Sequence, residues 1–166
     1  MKQRLVTFLT ILAWLFGGAF GSLARAEEGV PLARNLQHDS ELARQKKGVV
    51  LVMFSSEHCG YCERVLNEFL IPMSRNPEYQ DKLVMRHVDS TGFATIRGFD
   101  GSVQDHRKFS GQQGVRMVPT VMLFDTEGRR LGKPLVGLTT VDYYGHYLDQ
   151  AIDQAVAKAS AFLQPQ

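Results

Sequence analysis

The sequence predicts an α/β fold, a mixed central sheet flanked by helices on both faces. Three observations carry this. Val49–Ser55 is a seven-residue run with four Val or Leu, suited to a strand buried on both faces. Helical and extended patterns then alternate: helix, strand, helices, strand, helix, strand, hairpin strand, helix. Asp125-Thr126-Glu127-Gly128 is a turn leading into a hairpin partner.

Residues 1–26 are expected to be a signal peptide. Lys2 and Arg4 make a basic start, 5–20 an apolar stretch, and Ala24-Arg25-Ala26 a small-x-small cleavage site. Sixteen residues, with Gly17 and Gly18 near their end, fall short of the about 20 needed to span a membrane. A cleaved leader is therefore expected rather than an anchor, leaving a periplasmic chain with no membrane insertion. No cysteine at the cleavage point invites a lipid. The leader holds three of the 19 basic residues and none of the 17 acidic ones, so the remainder carries 16 against 17. That balance offers nothing for nucleic acid. Residues 27–166 are one domain's worth of chain. Two cysteines are too few for a disulfide scaffold, so the core must be hydrophobic.

Within that domain, 27–36 lacks periodicity and reads as a loose lead-in. Asp39 to Gly48 suits a short helix with an acidic cap, a basic end and a terminal glycine. After the buried strand, Val65, Leu66, Phe69 and Leu70 fall at helical spacing, and the helix should bend or break near Pro72. Asn76-Pro77 restarts a helix with proline at its first position. Leu83 to Val88 is the next strand, ending at Asp89. Residues 90–104, with Gly92, Gly98 and Gly101 around Phe93, Ile96 and Phe99, are longer than an ordinary connection. They read as an insertion that either covers the sheet, the favoured expectation, or lines a groove near the cysteines. Asp105 to Gln113 is a helix ending at Gly114, and Thr120 to Phe124 a strand. Its hairpin partner is expected over Arg129 to Val136, at an edge because of Pro134. Thr139 and Asp142 look like a capping pair for a helix running to about Leu163. The apolar face of that helix is Val141, Tyr144, Leu148, Ile152, Ala155, Ala159 and Phe162.

The chemistry centres on Cys59-Gly60-Tyr61-Cys62, placed where the buried strand hands over to a helix. Residues three apart on a helix are neighbours, so the two thiols can close a short disulfide. Cys59, at the helix N-terminus, faces unpaired N–H groups and the positive end of the dipole. Its thiol should ionise below the free value of about 8.5, and the thiolate is the nucleophile. Cys62, one turn in, is placed to attack a mixed disulfide on Cys59. A purely structural bridge would close too small a loop to remove much unfolded-state entropy. A zinc site lacks its second ligand pair, since there is no other cysteine and no His-x(3–5)-His. His58, beside Cys59, would stabilise the thiolate if charged, or else be a solvated imidazole. His38, His87, His106 and His146 show no ligand spacing, so no metal is expected, and no nucleotide, flavin or haem cofactor.

Phe54 through Cys62, followed far downstream by Val118-Pro119-Thr120 before another apolar strand, resembles the thioredoxin superfamily over about Leu36 to Leu163. The resemblance implies a thioredoxin-like fold and a thiol:disulfide oxidoreductase with Cys59 and Cys62 catalytic. It also implies a cis Val118–Pro119 bond packed by the cysteines, with substrate contacts from Gly60, Tyr61, Val118 and Pro119. Its partners would be protein disulfides and, in an oxidising compartment, a membrane electron donor that restores the dithiol. Two departures stand out. Where thioredoxin carries a buried aspartate and a lysine behind the cysteines, this chain has Met53 and Met85. Between the cysteines, Gly60-Tyr61 replaces the Gly-Pro of reducing members and is similar to the pair in periplasmic disulfide isomerases. A reductase is the leading expectation. An oxidase or isomerase, and a binding or copper-handling module, stay open beside it.

Overall fold

The computed structural model describes residues 29–138 and 140–162. The elements are α1 (Leu36–Gln45), β1 (Val49–Ser55) and α2 (Gly60–Arg64), which passes through a π-helical segment (Val65–Leu70) into α3 (Ile71–Arg75). There follow α4 (Pro77–Gln80), β2 (Leu83–Asp89), β3 (Thr95–Arg97), β4 (Val103–Asp105) and α5 (His106–Gln112). The chain closes with β5 (Thr120–Phe124), β6 (Leu135–Val136) and α6 (Val141–Phe162). The main sheet has the order β2-β1-β5-β6. β1 runs parallel to β2 and antiparallel to β5, so the sheet is mixed, as expected.

β1 explains the layering. All seven of its residues are buried, and alternation along a strand sends them to opposite faces. Val49, Leu51 and Met53 join Cys62, Val65, Leu70 and the α6 residues Tyr144, Leu148 and Ile152 in one core cluster. Val50, Val52 and Phe54 join Leu36, Ala43, Ile96 and Phe109 in the other. Each fully buried Val, Leu or Phe contributes about 1.5–3 kcal/mol by leaving water, so both faces must be covered.

The structure corrects several details. α1 begins at Leu36, not Asp39: the Asn35 side chain accepts the His38 N–H at 3.2 Å. Asn is as good a cap as Asp, and the apolar Leu36 directly after it is the better start signal. Asp39 lies inside the helix, buried, 2.6 Å from the Arg86 guanidinium of β2. The lead-in is not loose. Ala33 N–H donates to the His87 carbonyl at 2.8 Å and His87 N–H to the Pro31 carbonyl at 2.9 Å, covering the outer edge of β2. A contact one bridge long leaves no periodicity to read.

The helix after the cysteines does not break at Pro72 but continues to Arg75, and Asn76 then caps α4 as expected. Upstream, Ile71 N–H donates to the Leu66 carbonyl, five residues back. This widening makes room for a proline ring that would otherwise meet the carbonyl four residues back. Residues 95–105 form their own hairpin, with Ile96 opposite Gln104. Ile96 is fully buried and the Phe99 ring lies 4.9 Å from that of Phe124, so this part covers the sheet. The partner of β5 narrows to Leu135–Val136 plus one bridge at Arg130, with Pro134 just outside the edge strand. On α6 the expected inner face is buried from Tyr144 to Ala159, but Phe162 is exposed beneath the Arg129 guanidinium. The leader, the Thr139 half of the capping pair and the helix end near Leu163 lie outside the described residues. Among those described, no helix is long and apolar enough to cross a membrane.

Candidate active site

β1 delivers the chain to the site. The Ser55 carbonyl at its end accepts the Ser90 N–H at 2.7 Å, tying the ends of β1 and β2 together. Ser56, Glu57 and His58 then turn the chain, and His58 takes a left-handed φ of 59°. Cys59 caps the helix that follows. Its carbonyl accepts the Glu63 N–H at 3.1 Å, and its Sγ accepts the Cys62 N–H at 3.2 Å. The two sulfurs are bonded, with their Cα atoms 5.2 Å apart. Cys59 is half-buried, whereas Cys62 is 2% exposed within the core. The Cys62 N–H and the positive end of the helix dipole thus meet at the sulfur of the more accessible cysteine, where a thiolate would be held. Tyr61 and His58 are exposed, and a side chain added at Gly60 would meet nothing within 4 Å.

Pro119 reaches the same place from β5. Thr120 pairs with Phe54, so Pro119 falls one step beyond, beside the end of β1. The Val118–Pro119 bond is cis and Pro119 is buried. The Pro119 carbonyl accepts the Gly137 N–H at 2.7 Å, and Thr120 Oγ1 donates to the Met117 carbonyl at 2.7 Å, fixing the loop on both sides. The fold therefore gathers His58, Cys59, Gly60, Tyr61, Cys62, Val118 and Pro119 at one end of the sheet, beyond the carboxyl end of β1.

The sequence profile of the thioredoxin-like domain matches residues 36–152. The chain belongs to that family. No curated protein matches it. Among solved structures it is similar to thioredoxin O2 from Arabidopsis thaliana in its oxidised state: TM-score 0.51, 17% identity, covering 78% of this chain and 99% of that one. It is likewise similar to thioredoxin NaTrxh from Nicotiana alata (0.50, 17%, 78% and 97%). Spinach chloroplast thioredoxin F gives 0.50 and 16%, with coverage of 76% and 97%. Identities this low bear on the fold. Family and bonded cysteine pair together make this thioredoxin-like protein a thiol:disulfide oxidoreductase.

Its interior differs from thioredoxin where the sequence indicates. Met53 and Met85 are buried in the cluster that contains Cys62, so the two positions expected for aspartate and lysine are apolar. The histidines given no role have a structural one in two cases. His106 is fully buried, its Nδ1 accepting the Asp89 N–H at 3.1 Å while Nε2 faces the Ala33 carbonyl at 2.7 Å. That pattern requires the neutral Nε2–H tautomer, and burial holds the group below the usual histidine range. His87 Nδ1 sits 3.0 Å from the Val30 carbonyl. Among the described residues no cluster of His, Cys, Asp or Glu could hold a metal.

Sequence reasoning missed Ser56, Ser90, Thr91, Arg116 and Met117. With Val115 and Val118 they line a pocket of about 220 Å³ beside the proline loop. Small polar residues after a strand read as ordinary turn chemistry, and only their position at the strand ends marks them. The insertion thus divides: Ile96 and Phe99 cover the sheet, while its first two residues line the pocket. A larger groove of about 500 Å³ between 131–135 and α6 contains none of the cysteine-site residues.

Proposed function

We propose that this thioredoxin-like protein is an exported, periplasmic reductase of protein disulfides. The observation that carries the reading is the asymmetry of the cysteine pair, with Cys59 accessible at the helix start and Cys62 2% exposed behind it. In the reduced protein the Cys59 thiolate attacks one sulfur of a client disulfide. That S–S bond breaks, and the other client sulfur leaves as a thiolate that takes a proton from solvent. Cys62 then gives up its proton and attacks Cys59 Sγ, forming the bond seen here and releasing the second client thiol. The client gains two electrons and the protein loses two. A charged His58 would assist by stabilising the thiolate. The backbone at Val118 would pair with an extended client segment.

The basic, apolar and small-residue pattern of 1–26 supports export. An oxidising compartment then requires a dithiol donor, and a membrane electron carrier fits that need. The Cys62→Ser variant should accumulate mixed disulfides with clients, and Cys59→Ser should trap none by this route. Equal trapping by both would overturn the roles. A reduction potential near about −270 mV is the expected value, and one near about −120 mV would instead make the protein an oxidant.

A further inference from the structure

The pocket beside Val118 has features that the redox chemistry does not use. Ser90 lines this cavity, and its Oγ, itself buried from solvent, has no hydrogen-bond partner. Arg116 lines the same cavity, is exposed, and makes no ion pair among the described residues. Asp89, the carboxylate next to Ser90 in sequence, is engaged by the Thr91 N–H at 3.0 Å and the Thr91 hydroxyl at 2.8 Å. Val115, Met117 and Val118 supply aliphatic walls. An unpaired guanidinium beside aliphatic walls, with an unpartnered hydroxyl in the wall, matches a carboxylate on a short aliphatic stem. The volume, about 220 Å³, is below the roughly 300–1,000 Å³ of small-molecule sites and suits a single side chain.

We infer that this pocket is a specificity subsite for a glutamate or aspartate of the client, within two or three residues of the attacked cysteine. The inference rests on the reductase reading. It adds a rule for choosing clients: an extended segment paired at Val118 presents alternate side chains to one side, and one of them enters the slot. Arg116 would pair with the carboxylate, and Ser90 Oγ, after turning about its Cα–Cβ bond, would donate to it.

The test uses nine-residue peptides whose central cysteine is disulfide-bonded to 2-mercaptoethanol, with Glu, Gln or Lys two residues to either side. In a single turnover, the reduced protein supplies two electrons, forms its Cys59–Cys62 bond and releases the peptide thiol and mercaptoethanol. The readout is the Glu-to-Lys rate ratio within each variant, which cancels changes in Cys59 reactivity. Wild type should give a ratio of about three to ten at one of the two positions. Arg116→Gln should bring it close to one, and Ser90→Ala should lower the Glu rate about two- to threefold. Arg107→Gln, a nearby cation outside the pocket, should leave the ratio intact. A wild-type ratio of one, or equal erosion by Arg107→Gln and Arg116→Gln, would overturn the subsite while leaving the reductase standing. Failure of the reduced wild type to react with any of the peptides would sink the reductase reading itself.

Discussion

His58 and Lys47 are the two non-glycine residues with positive φ among those described, at 59° and 53°. A left-handed L-residue costs about 1–2 kcal/mol, least for Asn and most for a β-branched side chain. His58→Val should therefore destabilise the oxidised protein by about 1–2 kcal/mol in denaturant unfolding, while His58→Asn stays near neutral. Equal losses would mean that the imidazole, not the backbone, matters there. Lys47 lies just past the end of α1, where its N–H reaches the Arg44 carbonyl and the Gly48 N–H reaches that of Ala43. In this closing pattern the left-handed residue is usually glycine. Lys47→Gly should gain about 0.5–1 kcal/mol. Gly48 serves a different need: a Cβ there would strike the Lys82 carbonyl, so Gly48→Ala should lose about 1–3 kcal/mol. A destabilised Lys47→Gly protein would refute this assignment of the two positions.

At the level of elements, α1 is tied to β2 by one ion pair. Burial pushes the Asp39 carboxyl above its ordinary value, against the opposing pull of Arg86. Asp39 Oδ2 has no partner, which is consistent with a costly burial. Arg86→Met leaves that charge uncompensated and should cost about 3–5 kcal/mol near neutral pH. The sign of the pH dependence follows from the raised folded-state value. A carboxyl of this kind favours the folded state below its unfolded value and loses that contribution as pH rises through the folded one. The variant should therefore approach wild-type stability as the pH falls below about 4, where Asp39 is protonated in both proteins. A deficit that stays constant from pH 7 to 4 in paired unfolding curves would show that Arg86 acts by packing alone. The π-helical segment before Pro72 is the second element-scale feature: a wider turn resolves a conflict between proline and helix without ending the helix that carries the cysteines.

Across the whole molecule, His106 joins three parts, for its ring bonds link α5, the end of β2 and the lead-in segment. Its folded form is neutral and its titration is shifted down by burial. Stability from this group is fully present above about 6.5 and is lost as pH falls below that value, because the unfolded chain takes up the proton first. The unfolding midpoint should decline from pH 7 to 5, and His106→Gln should flatten that slope. The variant should also lose about 1–3 kcal/mol at pH 7 from the broken bonds. An unchanged slope would place the pH sensitivity elsewhere. Because Asp89 leads into Ser90 and Thr91, the same histidine supports the strand end beside the pocket at Val118.

Local chemistry determined much of this protein. Six apolar residues in a row, Val49 to Phe54, made β1 a doubly buried strand, the handover to helical spacing put Cys59 at a helix start, and Asn76-Pro77 announced a new helix. These signals are contiguous in sequence, so a short window contains the cause. The family resemblance added Pro119, which no window around the cysteines contains. Tertiary structure alone decided the rest. Asp39 reads as a cap until Arg86 is brought across from β2. The lead-in reads as loose until its backbone meets the edge of β2. Ser90, Thr91 and Arg116 read as turn residues until the parallel pairing of β1 with β2 and the antiparallel pairing with β5 bring them to one rim. Hydrogen bonds and ion pairs between residues tens of positions apart leave no periodic trace, because partners that meet only across a sheet are chosen by the register of that sheet.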